Sequence, residues 1–226
     1  MPAAHLHAGV KKILLIDNYD SFTYNLQHLL LMVPDVQLEV KRNDANLLAV
    51  MQAGQFDGVV IGPGPGSPED PHYFGDNQQI ILRYGTAGVP ILGVCLGLQG
   101  IYYAFGGRLK MSTHPMHGKT SRLCIVAPGS RILRGIAPEA TVMRYHSIVA
   151  DLRVVPECLR LTAYAESAQH GSDTQELMAL EHRQYPIYGV QFHPESFATE
   201  CGIAIIENFL AVCGSLARPT PLKVPM

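Results

Sequence analysis

A cysteine, a histidine and a glutamate stand in this chain where acyl-transfer chemistry could use them. Cys95 lies in the run Gly93-Val94-Cys95-Leu96-Gly97, after the apolar stretch Val89-Pro90-Ile91-Leu92 and before a helix-like segment that ends at Gly106-Gly107. Strand, sharp turn and helix in that order make a nucleophile elbow, with a thiol in place of the usual hydroxyl. Small residues on both sides permit the turn, and the turn pushes the sulfur out beyond the sheet edge. The helix N-terminus favours negative charge there. It also offers backbone N–H groups to a developing oxyanion. Cys95 therefore reads as a thiolate nucleophile, and the competing reading is a buried structural cysteine in a parallel sheet. His193 and Glu195 belong to Ile187-Tyr188-Gly189-Val190-Gln191-Phe192-His193-Pro194-Glu195-Ser196. A nucleophile of this kind needs a proton acceptor, and the acceptor needs a third group to fix its tautomer and orientation. Pro194 fixes φ between the two and stops a central strand from continuing. Both side chains are thus expected at a strand end and at a cleft edge, where open α/β sheets keep their sites. A lone histidine at a strand end is commonly structural; the Pro-Glu that follows and the cysteine elbow upstream favour catalysis.

Two neighbouring features bear on the same site. Gln99 lies four residues past Cys95, one helical turn on, so its amide is expected to reach the same opening. The loop Gly62-Pro63-Gly64-Pro65-Gly66 lets backbone approach a ligand while its prolines keep it stiff. It carries no Walker lysine and no G-x-G-x-x-G that opens a helix. These absences argue against a phosphate cradle, and the plain alternative is a rigid turn with no ligand.

The elements that must position these residues follow from periodicity. Residues 12–17 form an apolar run of strand length. Phe22, Leu26, Leu29, Leu30 and Val33 recur at helical spacing, and Pro34 ends that helix. A strand is expected over 37–41, a short helix over 45–53, a buried strand over 56–61 and a helix over 76–84. The elbow strand and its helix come next. This β-α-β-α order predicts an open, mainly parallel twisted sheet with helices on both faces. From Arg122 onward the pattern turns to strands, at 122–127, 141–147, 159–166, 176–181 and 187–192, with a last helix over 200–212. The second half is therefore expected to add antiparallel strands. One domain over 11–213 is expected, between an N-terminal extension, 1–10, and a Pro-rich tail, 214–226.

Six segments together resemble a known family. They are Asp17-Asn18-Tyr19-Asp20-Ser21-Phe22-Thr23, Gly62-Pro63-Gly64-Pro65-Gly66-Ser67-Pro68-Glu69, Gly93 to Gln99, His117-Gly118-Lys119-Thr120-Ser121, Arg144-Tyr145-His146-Ser147 and Gly189 to Ser196. The chain resembles the class I glutamine amidotransferases, of the branch that supplies ammonia for anthranilate or 4-amino-4-deoxychorismate synthesis. The resemblance implies that Cys95, His193 and Glu195 hydrolyse L-glutamine to glutamate and ammonia. It implies that an N–H near Gly64 joins that of Leu96 in the oxyanion hole, and that Gly64, Pro65 and Gly66 border the glutamine. It places Gln99 against the substrate, with the backbone of Ser147 and Ile148 at the α-amino and carboxylate end. It implies a chorismate-binding synthase, either separate or fused to the chain, to receive the ammonia, meeting the chain around Asp17 and Tyr19 to Phe22. No cofactor is implied for this chain.

The competing enzymes are the glutaminase component of a GMP or carbamoyl-phosphate synthetase and a free-standing γ-glutamyl hydrolase. A glutamine-sensing module without chemistry is the non-enzyme alternative, and the intact cysteine, histidine and glutamate argue against it. His146 reads as a core or interface histidine, and Lys119 as an interface or loop-ordering residue. Leu98 and Gly62 depart from what many relatives carry, which bears on gating by the partner and on the stiffness of the loop.

Composition limits the rest. The chain has 226 residues, 47% of them hydrophobic, enough to bury a sizeable core in one domain. A net charge of −2 gives no argument for a nucleic-acid or anionic-membrane partner. No stretch reads as a signal peptide or reaches transmembrane length. Five cysteines, at 95, 124, 158, 201 and 213, form no C-x-x-C pair, and an odd, scattered set fits a reducing, cytoplasmic setting. The histidines show no metal spacing.

Overall fold

Four short runs of mostly branched apolar residues build the centre of the sheet. They are β1 (Lys11–Asp17), β3 (Gly58–Ile61), β4 (Ile91–Val94) and β9 (Ile187–Val190), and the last three are buried at every position. Continuous apolar strands are what a sheet covered on both faces requires. The computed structural model describes residues 9–166 and 175–215. Most of the expected N-terminal extension and the proline-containing tail from 216 onward lie outside the described residues.

The remaining elements, in chain order, are α1 (Thr23–Leu31), β2 (Val36–Arg42), α2 (Leu47–Gly54), α3 (Pro71–Phe74), α4 (Asn77–Gln79), α5 (Leu96–Ala104), β5 (Leu109–Ile125), β6 (Thr141–Ala150), β7 (Leu159–Ala165), β8 (Leu177–His182) and α6 (Gly202–Ser215). The nine strands form one open sheet in the order β2-β1-β3-β4-β9-β8-β7-β5-β6. Neighbours from β2 through β9 run parallel, and those from β9 to β6 antiparallel.

Alternation along the strands sorts the core into two layers. Ile13, Leu15, Val60, Leu92 and Val94 pack with Leu26 and Leu30 of α1 and with Ile205, Ile206 and Phe209 of α6. Leu14, Ile16, Val59, Ile61 and Ile91 pack with Leu47 and Met51 of α2 and with Leu98, Ile101 and Tyr102 of α5. Each such side chain, fully buried, contributes roughly 1.5–3 kcal/mol. The helices therefore cover both faces.

Two elements differ from the sequence expectation. The helix expected over 76–84 is α4 followed by a widened π turn, Ile80–Gly85, which sets Ile80, Ile81 and Tyr84 against the sheet together. β5 starts thirteen residues before the expected strand at 122 and is 17 residues long. Among the described residues its first part pairs only with β6, through irregularities between Met111 and Met116 and between His117 and Lys119. Its last residues, Leu123 to Ile125, pair with β7. Lys119 thus stands exposed in a strand opposite Arg144, not in a loop that it could order.

The parallel registers fix what happens at the sheet edge. Ile61 pairs with Gly93, and Val94 pairs with Val190. The segments that leave β1, β3, β4 and β9, at 18–22, 62–66, 95–97 and 191–196, all emerge at the same carboxyl edge.

Candidate active site

The elbow comes first, because its backbone decides where the sulfur goes. Cys95 is the N-cap of α5 and takes φ 54°, ψ −100°. A positive φ is strained for a residue with a β-carbon, and such strain clusters at functional sites. Two glycines make the turn possible by close approach. A β-carbon on Gly93 would come 2.4 Å from the Gly97 carbonyl carbon, and one on Gly97 would come 2.4 Å from the Ile61 carbonyl oxygen. The Cys95 N–H donates to Val190 at 2.8 Å, so β4 holds its neighbour up to the last residue before the helix.

His193 and Glu195 are fastened to β6. The His193 N–H donates to the Met143 carbonyl (3.0 Å), Thr199 Oγ1 donates to the His193 carbonyl (2.6 Å), and the Met143 N–H donates to Thr199 Oγ1 (3.0 Å). Within that clamp His193 Nδ1 meets Glu195 Oε1 at 2.6 Å. Both side chains are buried, 3% and 1% exposed, so the expectation that they sit at a cleft edge is corrected. The β6 strand and the loop carrying Phe22 close over them. Burial alone would push the His193 pKa down. The nearby Cys95 sulfur, then the Glu195 hydrogen bond, and the negative charge of both outweigh it and push the pKa up to about 11. Nε2 is buried and meets no acceptor at hydrogen-bond geometry. It is the nitrogen left to serve the sulfur, because Nδ1 is held by the carboxylate.

Aromatic rings form a wall that sequence reasoning missed. Tyr145 stands edge-on to His193 with ring centroids 5.3 Å apart, and Phe22 stacks on Tyr145 at 5.3 Å. The Cys95 thiol lies 3.9 Å from the Tyr145 carbonyl. Both residues lie in recognisable sequence segments, but ring type alone does not separate a site wall from core.

The predicted binding residues fall around this centre. Gly64 is half-buried, and Pro65 and Gly66 are exposed, on the loop after β3. Leu96 is the first residue of α5, where the leading N–H groups have no partner within the helix. Ser147 and Ile148 are half-buried on β6. Gln99 is buried, and its amide Nε2 is already engaged, with the Ile148 carbonyl at 2.8 Å and with Gln191 Oε1 at 3.2 Å. Its NH₂ end is therefore taken up inside the protein.

Gln191 carries no signal of its own in the sequence, yet it is fully buried and donates from Nε2 to Cys95 Sγ at 3.5 Å. A second missed feature supports the Gly-Pro loop. Asn18 Nδ2 donates to the Gly62 carbonyl at 2.8 Å, while Asn18 Oδ1 accepts from Asn43 at 3.0 Å and Asn77 at 2.7 Å. The Gly62 N–H donates to Ile16 at 3.0 Å, so the start of the loop is held from both sides. Leu98 is fully buried in the core layer of α2 and α5.

His146 is also buried and accepts from Arg144 Nε at 3.2 Å, while Arg144 pairs with Glu176. Burial, with the Arg144 charge added, pushes the His146 pKa down to about 3, so it stays neutral and is a poor proton carrier. Among the described residues no three His, Cys, Asp or Glu side chains are grouped to hold a metal. No helix among them is long and apolar enough to cross a membrane.

Comparison with known proteins bears on the whole chain. The family profile of glutamine amidotransferase class-I matches residues 14–213. The aminodeoxychorismate synthase component 2 of Escherichia coli is 44% identical over 199 residues, covering 88% of this chain and 98% of that protein. The anthranilate synthase component 2 of Mycobacterium tuberculosis is 42% identical, covering 90% of this chain and 83% of that protein. The bifunctional protein TrpGD of Thermotoga maritima is 42% identical over 90% of this chain, and the chain spans 32% of that relative's length. A solved structure of a GMP synthase component from Thermoplasma acidophilum superposes with a TM-score of 0.76 at 25% identity, over 91% of this chain and 95% of that one.

Proposed function

The chain belongs to the glutamine amidotransferase class-I family, and from that premise we propose that it hydrolyses glutamine with Cys95, His193 and Glu195 and passes the ammonia to a chorismate-aminating synthase. The observation that carries the chemistry is the juxtaposition of a strained cysteine elbow with a histidine whose far nitrogen is held by a carboxylate at 2.6 Å. The raised His193 pKa of about 11 keeps the imidazole protonated at neutral pH, with its Nε2 proton on the side of the sulfur. Sγ attacks the γ-amide carbon, and the carbonyl π electrons move to oxygen. The N–H of Leu96 and one from the Gly64 turn bind that oxyanion, each worth roughly 3–4 kcal/mol in hydrolases of comparable design.

His193 then gives its Nε2 proton to the departing nitrogen, and the C–N bond breaks to leave ammonia and a γ-glutamyl thioester. Nε2, now neutral, takes a proton from water. The hydroxide adds to the thioester, the C–S bond breaks, and glutamate leaves. Glu195 stays charged throughout and fixes the ring. Gly64, Pro65 and Gly66 border the substrate, Gln99 lies against it, and the Ser147–Ile148 backbone holds its α-amino and carboxylate end.

Names of relatives support the chorismate branch: identities of 42–44% to anthranilate and aminodeoxychorismate synthase components stand against 25% to the GMP synthase component. The test is reconstitution. The chain is mixed with each purified chorismate enzyme, and glutamine-dependent product is followed. Product with either chorismate enzyme is the expected result; product only with a GMP or carbamoyl-phosphate synthetase would overturn the branch.

A further inference from the structure

The register of the parallel sheet brings Gln191 to the nucleophile. Val190 is paired with Val94, so the next residues, Gln191 and Cys95, leave adjacent strand ends side by side. Gln191 has no solvent exposure, and its N–H is tied to Met178 at 2.9 Å. Its side-chain amide must therefore find its partners inside the protein. Nε2 donates to Cys95 Sγ at 3.5 Å, and Oε1 accepts from Gln99 Nε2 at 3.2 Å.

The direction of that amide is set by its surroundings. Gln99 Nε2 gives one hydrogen to the Ile148 carbonyl at 2.8 Å and the other to Gln191. Turning the Gln191 amide over would set two NH₂ groups against each other and would point a carbonyl oxygen at the sulfur. A thiolate accepts hydrogen bonds and donates none, so a dry amide N–H aimed at Sγ favours the charged form of the sulfur over the thiol. It does so without adding a formal charge to a site that already holds the His193 imidazolium.

We propose that Gln191 is a catalytic residue whose amide donates to the Cys95 sulfur, holding it as an aimed thiolate, with Gln99 locking that amide in the donating direction. The proposal rests on the reading of Cys95 as the nucleophile. As charge passes from sulfur to the acyl oxygen in the attack, the bond to sulfur weakens and the oxyanion donors take over. The return of charge to sulfur when the thioester breaks restores it.

The test is site-resolved alkylation by iodoacetamide, from about pH 5 to about pH 10, read by mass spectrometry on each cysteine peptide. Exposed Cys124 on the same chain is the internal control. Gln191→Met keeps the side-chain volume and loses the donor. Gln191→Glu keeps an acceptor for Gln99 and also loses the donor. Both are expected to slow Cys95 alkylation about tenfold near neutral pH, the worth of one net hydrogen bond to a charged group. The Gln191→Met rate should converge on wild type at high pH, where the sulfur is charged in either case. Cys124 should react at the same rate in every variant, and kcat should fall more than KM rises. A Cys95 pH profile in a folded Gln191→Met or Gln191→Glu protein that superimposes on wild type would overturn the role. Failure of the nucleophile reading would look different: wild-type Cys95 would react no faster than Cys124.

Discussion

At the scale of single residues, the charge on His193 is set jointly by the sulfur and the carboxylate beside it. Removing either should therefore be visible on the ring. In Cys95→Ala the ring loses the larger of the two supports that oppose burial, and its titration midpoint should fall well below about 11; NMR titration of the ring signals checks this, and an unmoved midpoint would count against the pair. The same shift has a consequence for stability. A histidine whose pKa is raised on folding contributes fully below the unfolded value of about 6.5. That contribution shrinks as pH rises and is gone above about 11. Thermal midpoints of wild type should therefore decline across the alkaline range more steeply than those of Cys95→Ala.

For catalysis, Cys95→Ser should cost at least about a thousandfold in glutamine-dependent rate, while ammonia-dependent synthesis by the complex survives. A glutamine-analogue electrophile should label Cys95. Label on Cys124, Cys158, Cys201 or Cys213 instead would remove the assignment, and burial already pushes the Cys201 thiol up to about 11 and Cys213 higher. His193→Ala should be slower than Glu195→Gln, since a proton carrier matters more than its orienter. Because both side chains are buried, His193→Ala also strands a carboxylate, and a loss of about 3–5 kcal/mol in stability is expected by denaturant unfolding.

At the scale of elements, the elbow is a packing solution before it is a chemical one. Gly97 lies against the backbone of β3, and Gly93 lies against the helix that the turn starts. Gly97→Ala should destabilise the fold by about 2–3 kcal/mol or more and displace α5, with chemical denaturation and glutaminase rate falling together. The buried Asn18, Asn43 and Asn77 cluster does comparable work for the Gly-Pro loop. Asn18→Ala leaves two amide donors and the Gly62 carbonyl without that partner, at about 1–3 kcal/mol each before relaxation. Its kcat should fall more than its KM rises, since the loop is assigned to the oxyanion; a stability loss with kcat unchanged would separate the loop from the chemistry.

These elements also show what a sequence can carry. The strands beside Cys95 are legible because both their faces are buried, which leaves unbroken apolar runs such as Ile13 to Ile16. The first part of β5 is not, because most of its side chains face solvent and its pairing with β6 is irregular, so no period marks it. Cys95, His193 and Glu195 are legible by type and motif. Gln191, Tyr145 and the asparagine cluster are not, since their partners lie 96, 50 and up to 59 residues away and only the sheet register brings them together.

At the scale of the whole molecule, the site lies beneath the edge where four loops leave the parallel strands, and a partner docking on that edge would touch those loops. Free ammonia is mostly protonated at neutral pH and is lost to solvent, so a synthase gains when release waits for an occupied acceptor site. Such coupling requires the docked and free states to differ in rate or affinity, and the loops bordering the site are the parts able to carry that difference. The Gly62–Glu69 loop and the turn after β1 are its natural carriers, the first held by Asn18 and the second placing Phe22 against Tyr145. Two apolar side chains flank them in the open: Tyr19 at 50% exposure and Phe197, two residues past Glu195, at 99%. A ring so fully solvated beside a catalytic segment is suited to be an anchor for a partner. The isolated chain is therefore expected to show low glutaminase activity, rising strongly when a chorismate-binding synthase is added, and further with chorismate present. Phe197→Ala should leave the isolated rate unchanged and raise the half-saturating synthase concentration by about tenfold or more. Steady-state glutaminase rates over a synthase titration measure both. A rate that is already high alone and moved by no partner would make the chain a free-standing hydrolase, and an unchanged titration for Phe197→Ala would place the docking surface elsewhere on the edge.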